Sequence, residues 1–395
     1  MYYNPFDHAL QENPYPTYAR LRDEAPLYHN EDVDFWALSR YADVSPAFRN
    51  HGLYSNSHGV SLEMWDVAAQ WGLEPTDLVG FLAMDPPQHN RMRALVSRAF
   101  NPSRVAGLEP AVRALTRQHL DSAFEAGSFN FTATIMAIPM DVISELLGIP
   151  HEDRAEIRQH LENIIGRGDG DTDLPDTFWV GVEALTTYYK ALIAKRRAQP
   201  REDLISALVT ANLDGEQLTD QEIVGVLTLL NAAGNETVTN LAGNAWYQAW
   251  RHPDQRAIAW AGNITGWIEE TLRYDGPPQT MARQLTRDTV IYDTMVPAGA
   301  RMLLIGASAN RDERVFPDAD RYDLTRDTTQ TQMLAFGAGV HFCLGAVLAR
   351  LQLRVICEEL IARVSSYEID ETGITYTHSP TLRGFSTLPT TVSLR

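Results

Sequence analysis

The sequence predicts a mainly α-helical domain with a small β region. Three observations carry this expectation. Apolar residues recur at helical spacing over long stretches, including most of 131–250. Strand-like alternation is confined to short segments near 26–39, 281–306 and 365–395. A glycine-punctuated loop at 336–345 runs straight into a further helical pattern.

Residues 1–21 are polar and proline-broken, with neither the apolar core of a signal peptide nor a membrane anchor. Residues 26–39 read as two short strands around the turn Asn30-Glu31-Asp32, followed by a helix at about 41–50. Residues 51–84 are mixed and rich in Gly, Trp and Met, and read as a long loop with a helical turn or two. Helical patterns cover Gln88 to Phe100 and Pro102 to Ala126. The helical stretch 131–250 is broken at Gly148-Ile149-Pro150, at 166–170 and at Ala198-Gln199-Pro200. Within 281–306, Val296-Pro297-Ala298-Gly299 gives a strand–turn–strand signal.

From Ile223 to Trp250 the only charged residue is Glu236. That length could span a membrane. Asn231, Asn235, Asn240, Asn244 and Gln248 argue against it. A helix of ~42 Å crossing the centre of a large helical domain fits better. A lone buried carboxylate there is costly unless paired, so Glu236 is either a satisfied structural acid or a functional one.

The 395 residues contain 44% hydrophobic and 21% charged side chains, enough for a large core. No linker, repeat or low-complexity block divides them, so residues 1–395 read as one domain. A net charge of −18 excludes a general nucleic-acid binder. The two cysteines, Cys343 and Cys357, lie on one helical stretch, ~21 Å apart by the helix rise. They cannot form a disulfide, as suits a reducing cytosol. Cys357 reads as a small buried hydrophobe.

Cys343 is different. It closes Phe336-Gly337-Ala338-Gly339-Val340-His341-Phe342-Cys343-Leu344-Gly345. Leu344, Val347, Leu348, Leu351 and Val355 then follow helical spacing. The sulfur is thus placed beside a helix N-terminus, where a thiolate is favoured. Haem iron held by cysteine is the arrangement that favours O–O cleavage.

This loop resembles the haem-binding signature of the cytochrome P-450 family, Phe-Gly-x-Gly-x-His-x-Cys-x-Gly. Every fixed position is filled. Ala233-Gly234-Asn235-Glu236-Thr237 resembles the family's oxygen-activation motif, with Val238 where many members have a second threonine. Thr237 can hydrogen-bond to the carbonyl of Ala233 and bend the helix. Glu270 and Arg273 match the family's Glu-x-x-Arg, and Arg321 follows in Phe316-Pro317-Asp318-Ala319-Asp320-Arg321-Tyr322-Asp323. Asp85-Pro86-Pro87-Gln88-His89-Asn90-Arg91-Met92-Arg93 opens a helix with His89 and Arg93 on one face.

The resemblance covers nearly the whole chain and implies one P-450 domain. Haem b would lie between the central helix (about 219–250) and the Cys343 loop. Cys343 would ligate the iron, with Phe336, Gly337, Gly345, Ala233 and Gly234 around the cofactor. His89, Arg93, Arg283 and His341 would hold the propionates. Glu236 and Thr237 would pass protons to dioxygen. Glu270, Arg273 and Arg321 would form a structural ion-pair triad that braces the cysteine loop. The substrate pocket would be lined by Val60, Leu62, Trp65, Phe81, Leu82, Leu229, Ala232, Ala233, Pro278, Met281 and Phe385. These are mostly apolar, suiting a fatty acid, steroid, terpenoid or polyketide.

The reaction implied is monooxygenation with O2, with electrons from a separate ferredoxin and reductase. Arg91, Arg98, Arg350 and Arg354 are candidate docking points. The missing anchor suggests a soluble, cytoplasmic bacterial member. A peroxide-driven peroxygenase and a non-enzymatic haem sensor or carrier remain as rivals. The Glu236–Thr237 pair argues against the first, and the lack of an output domain against the second.

Overall fold

A computed structural model describes residues 1–65, 74–97, 102–165, 176–213 and 215–395. The expected break at 166–170, Arg98 and part of the 51–84 segment lie outside the described residues. The molecule is mainly helical, with a five-stranded sheet on one side.

That sheet is built from β1 (Leu27–Asn30), β2 (Phe35–Leu38), β3 (Tyr54–Ser55), β4 (Met281–Leu285) and β5 (Arg301–Leu304), in the order β1-β2-β5-β4-β3. The β1–β2 hairpin is the one the sequence predicts. Strand β5 runs parallel to β2 and antiparallel to β4, with Met302 opposite both Trp36 and Arg283. The signal at 296–299 is a turn, but the strand before it, Thr294–Val296, pairs instead with Thr289–Ile291. A small hairpin is therefore inserted between β4 and β5. The register Tyr54↔Leu285 and Ser55↔Gln284 ties the segment after α1 (Tyr41–Arg49) to the strand that carries Arg283.

The main core surrounds the long helices α2 (Gln88–Ser97), α3 (Glu109–Ala126), α4 (Phe131–Leu147), α5 (Asp176–Ala198), α6 (Asp220–Arg251), α7 (Ile264–Asp275) and α8 (Ala346–Arg363). Helix α6 is the central one. Thr219 and Glu222 close a reciprocal capping box at its start. Several of its polar side chains bond within the protein. Asn231 Nδ2 donates to the Tyr189 hydroxyl at 2.8 Å, and Asn244 Nδ2 to the Asp275 carbonyl at 2.7 Å. Trp246 stacks between Phe131 and Tyr367. No helix among the described residues is long and apolar enough to cross a membrane.

Candidate active site

Helix α6 is buried along most of its length, yet Ala233 is exposed and Ala232, Glu236 and Thr237 are half-buried. An uncovered stretch within an otherwise buried helix marks the wall of a cleft. Thr237 Oγ1 donates to the Ala233 carbonyl at 2.8 Å, as the spacing predicts. A Cβ on Gly234 would meet Ile143 Cγ1 of α4 at 2.6 Å. The glycine therefore allows close packing of α6 on α4, and the group that approaches its backbone is the Ile143 side chain.

Cys343 sits at the end of its loop, with α8 starting three residues later. Its amide donates to the Phe336 carbonyl at 2.9 Å, which closes the loop. Gly339 has φ +71°, and a Cβ there would meet the Phe48 carbonyl at 2.8 Å. The loop is thus seated on the C-terminal end of α1. Cys343 is exposed although protein surrounds it, so its sulfur faces an internal cleft rather than bulk solvent. Burial pushes the thiol up, and this outweighs the Gly345 amide, Arg93 and Arg350, which pull it down. The helix end does favour the thiolate, through the Gly345 amide, but desolvation is the larger effect, and a bound cation would oppose it.

Beside this cysteine, four nitrogen-bearing side chains converge. The His89 and His341 rings lie 4.0 Å apart, and each has a buried Nε2 with no hydrogen-bond partner. Arg93 donates to the Phe342 carbonyl at 2.6 Å. Arg283 is buried above the Phe48 ring. Burial, then His89, Arg283, Arg93 and His51, hold His341 down to about 2. Burial lowers Arg283 to about 10, opposed by Asp85. Two guanidinium cations and two orphaned ring nitrogens therefore share one pocket beside a thiol. Such a donor set fits a group with two carboxylates and a central metal that accepts sulfur. The expected propionate residues are brought together.

The Cytochrome P450 family model matches residues 264–394. Over 99% of this chain, the sequence is 46% identical to the putative cytochrome P450 123 of Mycobacterium tuberculosis strain H37Rv, of which 97% is covered. The chain belongs to the cytochrome P-450 family. The structure of cytochrome P450 CYP109Q5 from Chondromyces apiculatus is 34% identical with a TM-score of 0.89, over 99% of this chain and 98% of that one. That of CYP109E1 from Bacillus megaterium, in complex with corticosterone, is 29% identical with a TM-score of 0.85, over 97% and 99%. The protein is thus a haem-iron monooxygenase of bacterial type, using O2, a small-molecule substrate and redox partners.

Two parts of the P-450 site differ from expectation. The ion-pair cluster is Glu270–Arg273–Arg326, not Glu270–Arg273–Arg321. Arg273 donates to Glu270 at 2.9 and 2.7 Å, and Arg326 Nε at 3.3 and 3.2 Å. The Arg321 side chain is exposed, and only its carbonyl accepts from Arg273. The turn at 318–321 reverses the chain, so backbone rather than side chain reaches inward.

Among the pocket residues, Leu62 packs in a small core with Tyr18 and Phe35. Phe385 is held between Tyr247 and Tyr376 in the main core. Both are filled into packing rather than lining a cleft. The C-terminal turn instead meets Pro278 through Leu382, which sequence reasoning missed. Phe81 and Leu229 are buried, while Val60, Trp65, Leu82, Ala232, Ala233, Pro278 and Met281 keep some exposure.

The candidate docking arginines among the described residues form ion pairs and stay partly exposed. Arg350 pairs with Glu269, Arg354 with Glu109 and Glu358, and Arg91 with Glu216 and Glu222.

A separate cleft of about 520 Å³ is lined by Tyr15, Tyr247, Tyr274, Asp275, Arg311 and Arg383. It shares no residue with the cysteine loop. Asp275 accepts from Tyr15, Gln248 and Arg383, so its carboxylate is satisfied internally.

Proposed function

We propose that the protein hydroxylates a hydrophobic small molecule, with Cys343 holding the iron of haem b and Glu236 and Thr237 managing protons. One oxygen atom of O2 enters the substrate and the other leaves as water, consuming two electrons and two protons. The cofactor, when bound, supplies the oxygen-activating redox chemistry. The protein's own residues bind, orient and protonate.

The observation that carries this reading is the opening in α6. Thr237 donates its hydroxyl proton to the Ala233 carbonyl, which leaves its oxygen as an acceptor. Glu236 stands next to it at the same half-buried stretch. Glu236, a carboxyl group on the same open stretch, would supply a proton toward the acceptor face of Thr237 Oγ1 and be refilled from outside. His89, Arg93, Arg283 and His341 would bind the two propionates by charge-assisted hydrogen bonds. Phe336, Gly337 and Gly345 would keep the sulfur in place.

Electrons would come from a ferredoxin and its reductase in the cytoplasm. The half-exposed pocket residues are largely apolar, which favours a steroid, fatty acid, terpenoid or polyketide. A steroid is the first class to test, since CYP109E1 has been seen with corticosterone. The test is turnover of such compounds with NAD(P)H and a ferredoxin system, against peroxide alone. In Thr237→Ala, haem binding and electron uptake should persist while peroxide replaces product. Undiminished coupling of NAD(P)H to product would remove Thr237 from the mechanism. Equal turnover on peroxide alone would favour the peroxygenase.

A further inference from the structure

We propose that His51 is an additional nitrogen donor to a haem propionate, a positioning residue that completes the pocket of His89, Arg93, Arg283 and His341. This rests on the propionate reading above. Nothing in the cysteine-loop or α2 motifs points to His51. It lies far from both in sequence, in the turn after α1.

The fold brings it there from three directions. Helix α1 ends at Arg49, and a Cβ on Gly339 of the cysteine loop would meet Arg49 Cα at 2.9 Å. The loop and the end of α1 are therefore in direct contact. Phe48, on the same turn, lies under the Arg283 guanidinium at 5.5 Å. The chain after His51 is held as tightly. The Asn50 carbonyl accepts the amides of Leu53 and Tyr54. The Leu53 carbonyl accepts from the Thr286 amide, and Gly52 from its hydroxyl. Tyr54 and Ser55 then pair with β4, one residue beyond Arg283. His51 is fixed between the loop that carries His341 and the strand that carries Arg283.

Its side chain matches that place. Nδ1 of His51 is buried and has no hydrogen-bond partner. It shares this state with Nε2 of His89 and Nε2 of His341. His51 is among the groups that lower both of them, which puts its ring within reach of theirs. An orphaned buried ring nitrogen is costly unless a partner arrives. Three such nitrogens on segments packed around one pocket, with two arginines, call for an acceptor-rich anion. A propionate carboxylate has about four lone-pair sites and can use several of these donors at once.

The test follows haem retention rather than turnover. Ferric holoprotein is mixed with excess apomyoglobin, and the rate of haem transfer is read from the Soret band. His51→Phe should release haem about tenfold faster than the parent, the effect of losing one charge-assisted hydrogen bond. His51→Gln, which keeps a side-chain N–H, should stay near the parental rate. The thermal midpoint should fall in the His51→Phe holoprotein and not in its apoprotein. His89→Phe and Arg283→Leu serve as references. If both release haem faster while His51→Phe matches the parent, the His51 inference is overturned and the propionate pocket stands. If neither reference variant changes the rate, the propionate reading itself falls. An equal drop in the midpoints of apo- and holoprotein would make His51 a packing residue and overturn the inference. Should His51→Phe fail to fold, His51→Gln and His51→Ala decide by the order of their rates. A faster rate in Ala than in Gln supports the donor role, and equal rates overturn it.

Discussion

Replacing Glu270 tests the buried ion-pair cluster of Glu270, Arg273 and Arg326. Glu270 and Arg273 are each 1% exposed. The carboxylate accepts two hydrogen bonds from Arg273, two contacts from Arg326 and the amide of Asp323 at 3.0 Å. Arg273 also donates to the carbonyls of Asn310, Ala319 and Arg321. In Glu270→Ala those carbonyls remain, but the cation loses its counter-charge in the interior. Breaking a buried pair from one side costs about 3–5 kcal/mol. The stranded Asp323 amide adds about 1 kcal/mol. Set against a typical stability of about 5–15 kcal/mol, the variant should be close to unfolding and should hold little haem. Arg326→Ala leaves Glu270 paired with Arg273, so its cost should be lower, about 1.5–3 kcal/mol. Arg321→Ala keeps the carbonyl and removes only an exposed side chain, so it should fall within about 0.5 kcal/mol of the parent. The assay is urea unfolding of the three variants and the parent, followed by circular dichroism, with haem content per chain. The order of damage should be Glu270, then Arg326, then Arg321. Arg321→Ala as damaging as Arg326→Ala, or Glu270→Ala with a parental midpoint, would refute the reasoning.

Two further outcomes follow from the packing. Gly234→Ala places a methyl against Ile143, so overpacking of about 1–3 kcal/mol should outweigh the ~1 kcal/mol gained in helix propensity; in an Ile143→Ala background, itself destabilised, Gly234→Ala should cost less than in the parent, and strict additivity in unfolding measurements would contradict the contact. Asp275 is held below the usual carboxylate range: burial alone would raise it, but Arg383, Tyr15, Arg311 and Gln248 together outweigh burial. A depressed carboxylate stabilises the fold above its unfolded pKa of about 4 and loses that contribution as pH falls through the lower folded value. Asp275→Asn should therefore be less stable than the parent at pH 7, with the gap narrowing below about pH 4; a gap that is constant with pH would show that the charge is not what matters.

The parts of the site that were legible in the sequence are those written in local spacing. Cys343 and its glycines, the Ala233–Thr237 turn and the His89/Arg93 helix face each lie within one short segment. The β1–β2 hairpin and the long central helix were legible for the same reason. What was not legible depends on long-range placement. Arg321 and Arg326 lie on one looped segment, and only the path of the chain shows that Arg321 offers a carbonyl while Arg326 offers its guanidinium. Leu62 and Phe385 are apolar near the right elements, but apolarity does not tell a cleft wall from a core. His51 has no motif around it, and its place comes from the pairing of β3 with β4 and the seat of the loop on α1. The thiol of Cys343 shows a related limit: the helix start predicts the direction of one influence, and burial decides the sum.

The most direct test of the account is the reduced carbon monoxide spectrum of two variants. Cys343 faces the internal cleft and Cys357 is buried in the core on α8, where burial pushes its thiol up. Cys357→Ala should retain the thiolate signature of a cytochrome P-450, and Cys343→Ala should lose it while keeping a folded helical protein. Loss of the signature in Cys357→Ala, with the signature intact in Cys343→Ala, would contradict the assignment of the iron ligand.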